Sequence, residues 1–320
     1  MKFRHSLQIL IDNFSLTYKQ LVYKLVITLI TAGLTIGILY PVWKMFTDLE
    51  EYKSLISGIK DFFNNLIEGK SDNLVNIREK LDNAKDSVIA LIKSHTLAIS
   101  FGIIGFILIR LFGRFLSSLG NFAAAAVIND KMALRAQSPF FITLLRNLKA
   151  ASLYSLMYVP LSFLYDVICI TIMYFIAFKL LVFVPIVLKI FLFVTVIVFA
   201  IAVKLTFASD WLPTIIRGKK TPLEAFGYTF NRKNKNTFNV LSNFLVLVLI
   251  IFALNVFAII FTFGVGALIT VPASYVVLNC FQLVNYYDRE DLKYFLDKKT
   301  IIKPEKEEVI TREQFFKGDD

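Results

Sequence analysis

Apolar residues in this chain are gathered into six long runs separated by polar segments. The runs cover 21–46, 97–119, 153–178, 185–208, 240–263 and 265–287. Each exceeds the roughly 20 residues that a helix needs to cross about 30 Å of hydrocarbon. A bilayer offers no water to backbone N–H and C=O groups, so runs of this length are predicted as helices, which satisfy those groups internally. Tyr40 and Trp43 mark an interface at the end of the first run, and Pro41 is expected to bend it there. The predicted class is all-α: a polytopic membrane protein with six transmembrane helices.

The segments between the runs have patterns of their own. In residues 1–20, Phe3, Leu7, Leu10, Ile11, Phe14 and Tyr18 recur at helical spacing, with Lys2, Arg4, Asp12 and Lys19 mostly off that face. This reads as an interfacial amphipathic helix. Residues 47–96 carry seven Lys/Arg against nine Asp/Glu and two helical patterns. One holds Leu49, Tyr52, Ile56, Ile59, Phe63 and Leu66. The other holds Leu74, Ile77, Leu81, Ala84, Val88 and Leu91 in a coiled-coil rhythm. Gly69-Lys70-Ser71-Asp72 separates them, so an antiparallel helical hairpin is predicted. Residues 288–320 read as a charged tail.

Charge sets the expected orientation. Basic residues exceed acidic ones in the N-terminus and in the 120–149 and 209–238 segments, but not in 47–96 or the two tight turns. The positive-inside rule then puts both termini in the cytoplasm and the hairpin outside the cell membrane. The candidate contacts for anionic headgroups are Arg135, Arg146, Lys149, Arg217, Lys219, Lys220, Arg232, Lys233 and Lys235.

Those two basic segments echo one another. Ser138-Pro139 and Thr221-Pro222 each read as a helix start, with Ser or Thr as N-cap and Pro in the first turn. Glu224 completes a capping box with Thr221. Each start follows a basic residue and leads into a pair of spans. The reading is an internal repeat, in which an amphipathic cytoplasmic elbow helix is followed by span, turn and span. Apolar Phe140, Phe141, Leu144, Leu145 and Leu148 on the first elbow, and Leu223, Phe226 and Phe230 on the second, would enter the headgroup boundary. A chance recurrence of Ser-Pro and Thr-Pro at helix starts is the alternative.

Ala208-Ser209-Asp210-Trp211-Leu212-Pro213, followed by Ile215-Ile216-Arg217-Gly218-Lys219-Lys220-Thr221-Pro222-Leu223-Glu224-Ala225-Phe226, resembles a pattern in bacterial six-span proteins. That group includes the membrane domain found beside glycerophosphodiester phosphodiesterases. The resemblance covers about residues 100–287 and implies six spans. No phosphodiesterase domain is expected in residues 288–320 after the last span, and the 47–96 hairpin is expected as an insertion. The resemblance therefore brings no catalytic residue with it.

Composition agrees with a membrane protein. The 320 residues are 57% hydrophobic and 18% charged, against about 45–50% and 25% for soluble domains. The formal charge of +11 is assigned to the anionic leaflet, because the basic residues flank the spans; nucleic acid is not expected as a partner. Cys169 and Cys280 lie in apolar runs, and His5 and His95 lie outside them, so no metal, redox or triad spacing is read. No P-loop, GxSxG or HExxH motif is present, and Gly264-Val265-Gly266 suits a chain reversal. No catalytic, cofactor or metal residues are assigned.

Polar groups inside the spans are the remaining candidates. Asp166 is the deep acidic residue, with Lys189 its nearest prospective partner in sequence. It serves either as a structural ion pair or as a cation or proton site. Asn255 lies in the fifth run, and Asn279, Gln282 and Asn285 form a stripe on the sixth, for interhelical bonding or for lining a cavity. The expected function is that of a non-enzymatic protein that docks an envelope partner through the hairpin or organises lipid through its basic elbows. A transporter or lipid translocator using Asp166 and the stripe is the alternative.

Overall fold

The computed structural model describes residues 2–50, 92–133, 138–176, 186–231 and 237–294, with short stretches at 53–54, 56–57, 60 and 89–90. Among these residues there are no strands, and ten helices are laid out. They are α1 (Lys2–Asp12), α2 (Phe14–Thr47), α3 (Thr96–Met132), α4 (Phe140–Arg146), α5 (Leu148–Phe175), α6 (Ile186–Ala208), α7 (Trp211–Ile216), α8 (Pro222–Asn231), α9 (Thr237–Phe261) and α10 (Ala267–Arg289). Six stretches are long and apolar enough to cross a membrane: α2, α3, α5, α6 with α7 (Leu188–Ile216), α9 and α10. The hairpin read over 47–96, with its seam at Leu74–Leu91, lies outside the described residues apart from its ends. So does the tail from residue 295.

Several helices run past their expected ends. α2 begins at Phe14, and α1 stops at Asp12 because Asn13 breaks the path and donates its side-chain amide to the Ile9 carbonyl. α3 continues through the alanine run to Met132, where a mixed segment was expected after Leu119. Ala123, Ala124 and Ala125 are fully buried, so the run is a close-packed helix face. Ser138 does not cap α4. That helix starts after Pro139 with no side-chain cap bond, and the Ser138 carbonyl accepts from Thr143 Oγ1. Thr221 does cap α8, and Glu224 returns a bond to the Thr221 amide at 3.1 Å. α5 continues through Pro160, and α10 continues through Pro272. Gly264 turns the chain between α9 and α10 at φ +91°, a left-handed conformation that glycine adopts without strain.

The chain divides into two compact units, Lys24–Ser117 and the pair of segments Met1–Tyr23 and Ser118–Asp320. In the first unit, α2 and α3 pack antiparallel along a glycine stripe. Gly102 lies beside Val42, Gly105 beside Ile38 and Gly113 beside Thr31. A Cβ at Gly105 or Gly113 would come within 2.9 Å of the facing side chain. Small residues let helix backbones approach where lipid supplies no hydrophobic drive. The outward positions are large and apolar, including Leu29, Ile36, Phe101, Ile104 and Leu108.

The second unit is built around α10, half of which is buried along its apolar window. α1 lies along it, and α9 packs between it and α6. Val276, Cys280, Phe281, Leu283, Val284 and Tyr287 of α10 are all buried. Gln20 of α2 donates to Asn121 at 2.7 Å, and Tyr287 donates to Asn129 at 2.8 Å. The end of α3 is thus fastened from two sides.

Gly113→Ala is expected to lower unfolding stability in detergent by about 1–3 kcal/mol through overpacking against Thr31. Gly37→Ala, which meets open space, should leave stability unchanged or slightly higher. Thermal and denaturant unfolding of the two variants is the check.

Candidate functional site

A cavity of about 410 Å³ opens in the second unit. Four elements wall it. The end of α6 leads into Ser209 and Asp210, and the first turns of α9 supply Asn239, Val240, Ser242 and Asn243. The last turns of α10 supply Asn285, Asp288 and Arg289, and α1 supplies Lys2. The spacing explains the convergence. Positions 239, 242 and 243 share one face of α9, and 285, 288 and 289 share one face of α10. Both faces fall at the polar end of an apolar helix.

The charges on this wall are balanced. Arg289 is ion-paired with Asp210, and Lys2 lies 3.5 Å from Asp288. The first pair is the more enclosed: the Asp210 side chain is 10% exposed, against 30% for Asp288. Asn285 is buried, and among the described residues neither its Nδ2 nor its Oδ1 has a hydrogen-bond partner. The Arg289 Nε is likewise buried and unbonded. Unsatisfied buried amides are uncommon, and these atoms lie behind the cavity surface and not on it.

Beside the cavity, α1 is tied to the chain beyond α10. His5 Nδ1 lies 2.7 Å from the Tyr294 hydroxyl, and the rings meet edge to face. Burial pushes the His5 pKa down; Asp288 opposes this, and Arg4 adds to it. Burial and Asp288 hold the Tyr294 phenol well above its ordinary value, so it stays protonated.

The polar residues expected inside the spans are distributed as follows. Asp166 on α5 pairs with Lys204 on α6 at 2.8 Å, which corrects the expectation of Lys189. The two helices run antiparallel, with Tyr165 donating to the Ala200 carbonyl, and this register sets Lys204 level with Asp166. Lys189 sits about three turns of helix from residue 200, near the start of α6. Asn255 donates to Ser274 at 3.0 Å and accepts from Thr270 at 2.8 Å, joining α9 to α10. Asn279 donates to the Asn121 carbonyl at 3.4 Å, and Gln282 is buried. Asn285 alone of the stripe reaches the cavity wall. Its other members are turned to packing.

The expected lipid contacts also divide. Arg146 binds the buried Asp130 at 2.9 Å and so holds α4 to the end of α3. Arg217 stacks over Tyr287, and Lys220 lies 3.7 Å from the centroid of Tyr228. Lys149 and Lys219 are exposed. Arg135, Arg232, Lys233 and Lys235 lie outside the described residues. On α4, Phe140 is buried against Tyr23, while Phe141, Ile142 and Leu145 are exposed. On α8, Leu223 and Phe230 are exposed, and Phe226 packs between Trp211 and Phe230. Cys169 and Cys280 are both free thiols.

Sequence reasoning missed Asn239, Ser242 and Asn243, whose i, i+3, i+4 spacing was the available signal. It also missed Lys204, visible as the one charge within the fourth run besides Lys189. Comparison with known protein families, curated proteins and solved structures returns no match.

Two outcomes follow. Lys204→Met, which removes the cation facing Asp166 across the two helices, should destabilise the protein by about 3–5 kcal/mol, whereas Lys204→Met with Asp166→Leu should recover most of the loss. A double-mutant cycle on unfolding measures this. The lowered His5 pKa means that docking of α1 is strongest above about pH 6.5, the ordinary histidine value, and weakens as pH falls through it. Hydrogen exchange of residues 2–12 should rise between pH 7.5 and 5.5, and His5→Gln should remove the dependence.

Proposed function

We propose that this is a non-enzymatic, multi-pass protein of the cell membrane, with both termini in the cytoplasm, that organises lipid at the inner leaflet through α4 and α8. The observation that carries this reading is the exterior of those two helices. Each keeps large apolar side chains exposed (Phe141, Ile142 and Leu145; Leu223 and Phe230), and Lys149 and Lys219 stand exposed beside them. Apolar residues at headgroup depth beside cations are the composition of an interfacial anchor on an anionic surface. The 47–96 segment is the proposed docking arm for an envelope protein, on sequence grounds alone. The partners are the bilayer with its anionic headgroups and one envelope protein; no cofactor is invoked.

A transporter or lipid-translocating role is the second reading. Its support is the Asp166–Lys204 pair, whose side chains are about a quarter exposed, with Asp166 in the second half of α5 and Lys204 about a turn from the end of α6. The first reading is stronger, because Asp166 is already neutralised and Asn255 and Asn279 are bonded between helices.

In nanodiscs of mixed composition, the protein should enrich anionic phosphatidylglycerol over phosphatidylethanolamine in its bound shell. Lys149→Ala with Lys219→Ala should reduce the preference by about 1 kcal/mol per charge removed. An unchanged shell, read by native mass spectrometry, would count against the elbows as lipid contacts. In cells, Lys219→Cys should react with an impermeant maleimide only after the membrane is opened, and Ser71→Cys before.

A further inference from the structure

We infer that α3 carries an intramembrane docking site, centred on Arg110, for a transmembrane helix of another protein that bears a carboxylate near its midpoint. The pairing of α3 with α2 fixes the depth. Gly102 meets Val42, Gly105 meets Ile38 and Gly113 meets Thr31. In that antiparallel register Arg110 is level with Gly33 and Leu34. α2 carries no charge between Lys24 and Lys44, and Leu34 is halfway along that stretch. At 1.5 Å per residue each boundary is about 15 Å away, half of a hydrocarbon core about 30 Å thick. Arg110 therefore lies at mid-depth, and it is exposed there.

A guanidinium at that depth requires an anion. α2 holds no Asp or Glu, and the acid of α3 is Asp130. That residue is about 30 Å along the helix from Arg110 and is bound to Arg146. Asp48 and Glu50, the described acids of this unit, lie beyond the end of α2, about 20 Å from the level of Arg110. What Arg110 meets is the ring of Phe106, 5.7 Å from the guanidinium carbon. A ring answers the charge in part and leaves N–H donors for a further acceptor.

The depth and the charge select the occupant. Lipid phosphates lie outside the hydrocarbon core, while an extended arginine side chain reaches about 7 Å. Over Phe106, one turn away, the guanidinium is not stretched toward either interface. A second copy related by a two-fold axis through this face would set Arg110 against Arg110, and the mid-span Asp166 of such a copy is taken by Lys204. A helix of another protein meets neither obstacle. Ile103, Phe106 and Ile107 are exposed on the same face as Arg110, and exposed Arg114 follows one turn on. This face suits an apolar helix with one central Asp or Glu, which pairs with a guanidinium through two parallel bonds. The site rests on the multi-pass reading, but not on the lipid role or the orientation, because mid-depth is the same from either side.

The full-length protein is reconstituted at pH 8 in phosphatidylcholine vesicles with a synthetic Leu-Ala helix of about 23 residues, carrying photoleucine beside a central Glu. Companion helices have Leu or Lys at the centre, or the Glu moved two turns toward either end. A second set of vesicles contains phosphatidylglycerol. Crosslinks are mapped by mass spectrometry. The central-Glu helix should label residues 103–114 at least about tenfold more than its companions. Arg110→Leu should abolish that excess, Arg110→Lys should keep part of it, and Arg114→Leu should reduce it less. Arg110→Leu puts an apolar side chain at an exposed span position, and its unfolding in detergent should match that of the parent. Equal labelling by the Leu helix, or labelling that persists in Arg110→Leu, overturns the inference. So does either other occupant in place of the Glu helix: a phosphatidylglycerol shell, or crosslinking between copies, that depends on Arg110. Alkaline carbonate extraction of the same vesicles separates the failures. A chain that washes out fails the multi-pass reading and this site with it, whereas a retained chain without Glu selectivity fails this inference alone.

Discussion

A polar group carried out of water by a membrane helix must find its partner inside the protein, and much of this molecule's arrangement follows from that requirement. Asp166 meets Lys204, Asn255 meets Thr270 and Ser274, Asn279 meets the Asn121 carbonyl, and Ser155 meets Ser118. Each bond joins two different helices, so the polar residues set the register in which the apolar surfaces meet. An interhelical bond of this type contributes only about 0.6 kcal/mol on average. Its alternatives are far worse: an unpaired carboxylate in hydrocarbon costs about 2.5–3.5 kcal/mol even on lenient scales. Neighbouring registers that leave such groups alone are thereby excluded. Specificity comes from the penalty, while cohesion comes from close packing such as that of Gly105 and Gly113 against α2.

The last helix carries the largest share of this burden. α10 presents Ser274 to α9, Asn279 and Tyr287 to α3, and Arg289 to Asp210 just beyond α6. It is the most buried of the candidate spans and has the lowest mean hydropathy of the six, 1.7 over its best window. Those two properties belong together. A helix surrounded by protein can hold side chains that lipid would reject, but burial does not by itself set hydropathy: α9 is the next most buried span and the most apolar, at 3.2, with Leu254, Phe257, Ile260 and Phe261 exposed.

The six membrane-length helices were legible because hydrocarbon thickness imposes a length that no ordinary soluble helix shares. Their ends were less so. α3 outruns its apolar stretch because alanine, neither strongly apolar nor polar, makes a compact helix face that hydropathy undervalues. The two joints differ for a reason visible only three residues on. Thr221 is followed by Glu224, which returns a bond to the cap amide, whereas Ser138 is followed by Phe141, which has nothing to return. Similar dipeptides thus start unlike helices, one of seven residues and one of ten. The choice of Lys189 over Lys204 failed on register. Proximity in sequence selects the residue nearest the turn, but an antiparallel pair brings together residues equally far from it, and Asp166 lies well back along α5.

The cavity escaped notice for a related reason. Asn239, Ser242 and Asn243 head an apolar run, where a polar face normally means contact with water, and only the three-dimensional return of α10 and α1 makes that face a wall. Asn285 was selected with Asn279 and Gln282 as one stripe, yet three and six residues along a helix carry a side chain through different surroundings. Asn279 is level with the alanine-rich end of α3, where a carbonyl answers it. Asn285 is beyond that point, level with the first turns of α9, and no group among the described residues answers it. The polar end of α10 is held instead by charge balance, since pairing Lys2 with Asp288 and Arg289 with Asp210 makes four charges tolerable near the membrane where any one alone would be costly.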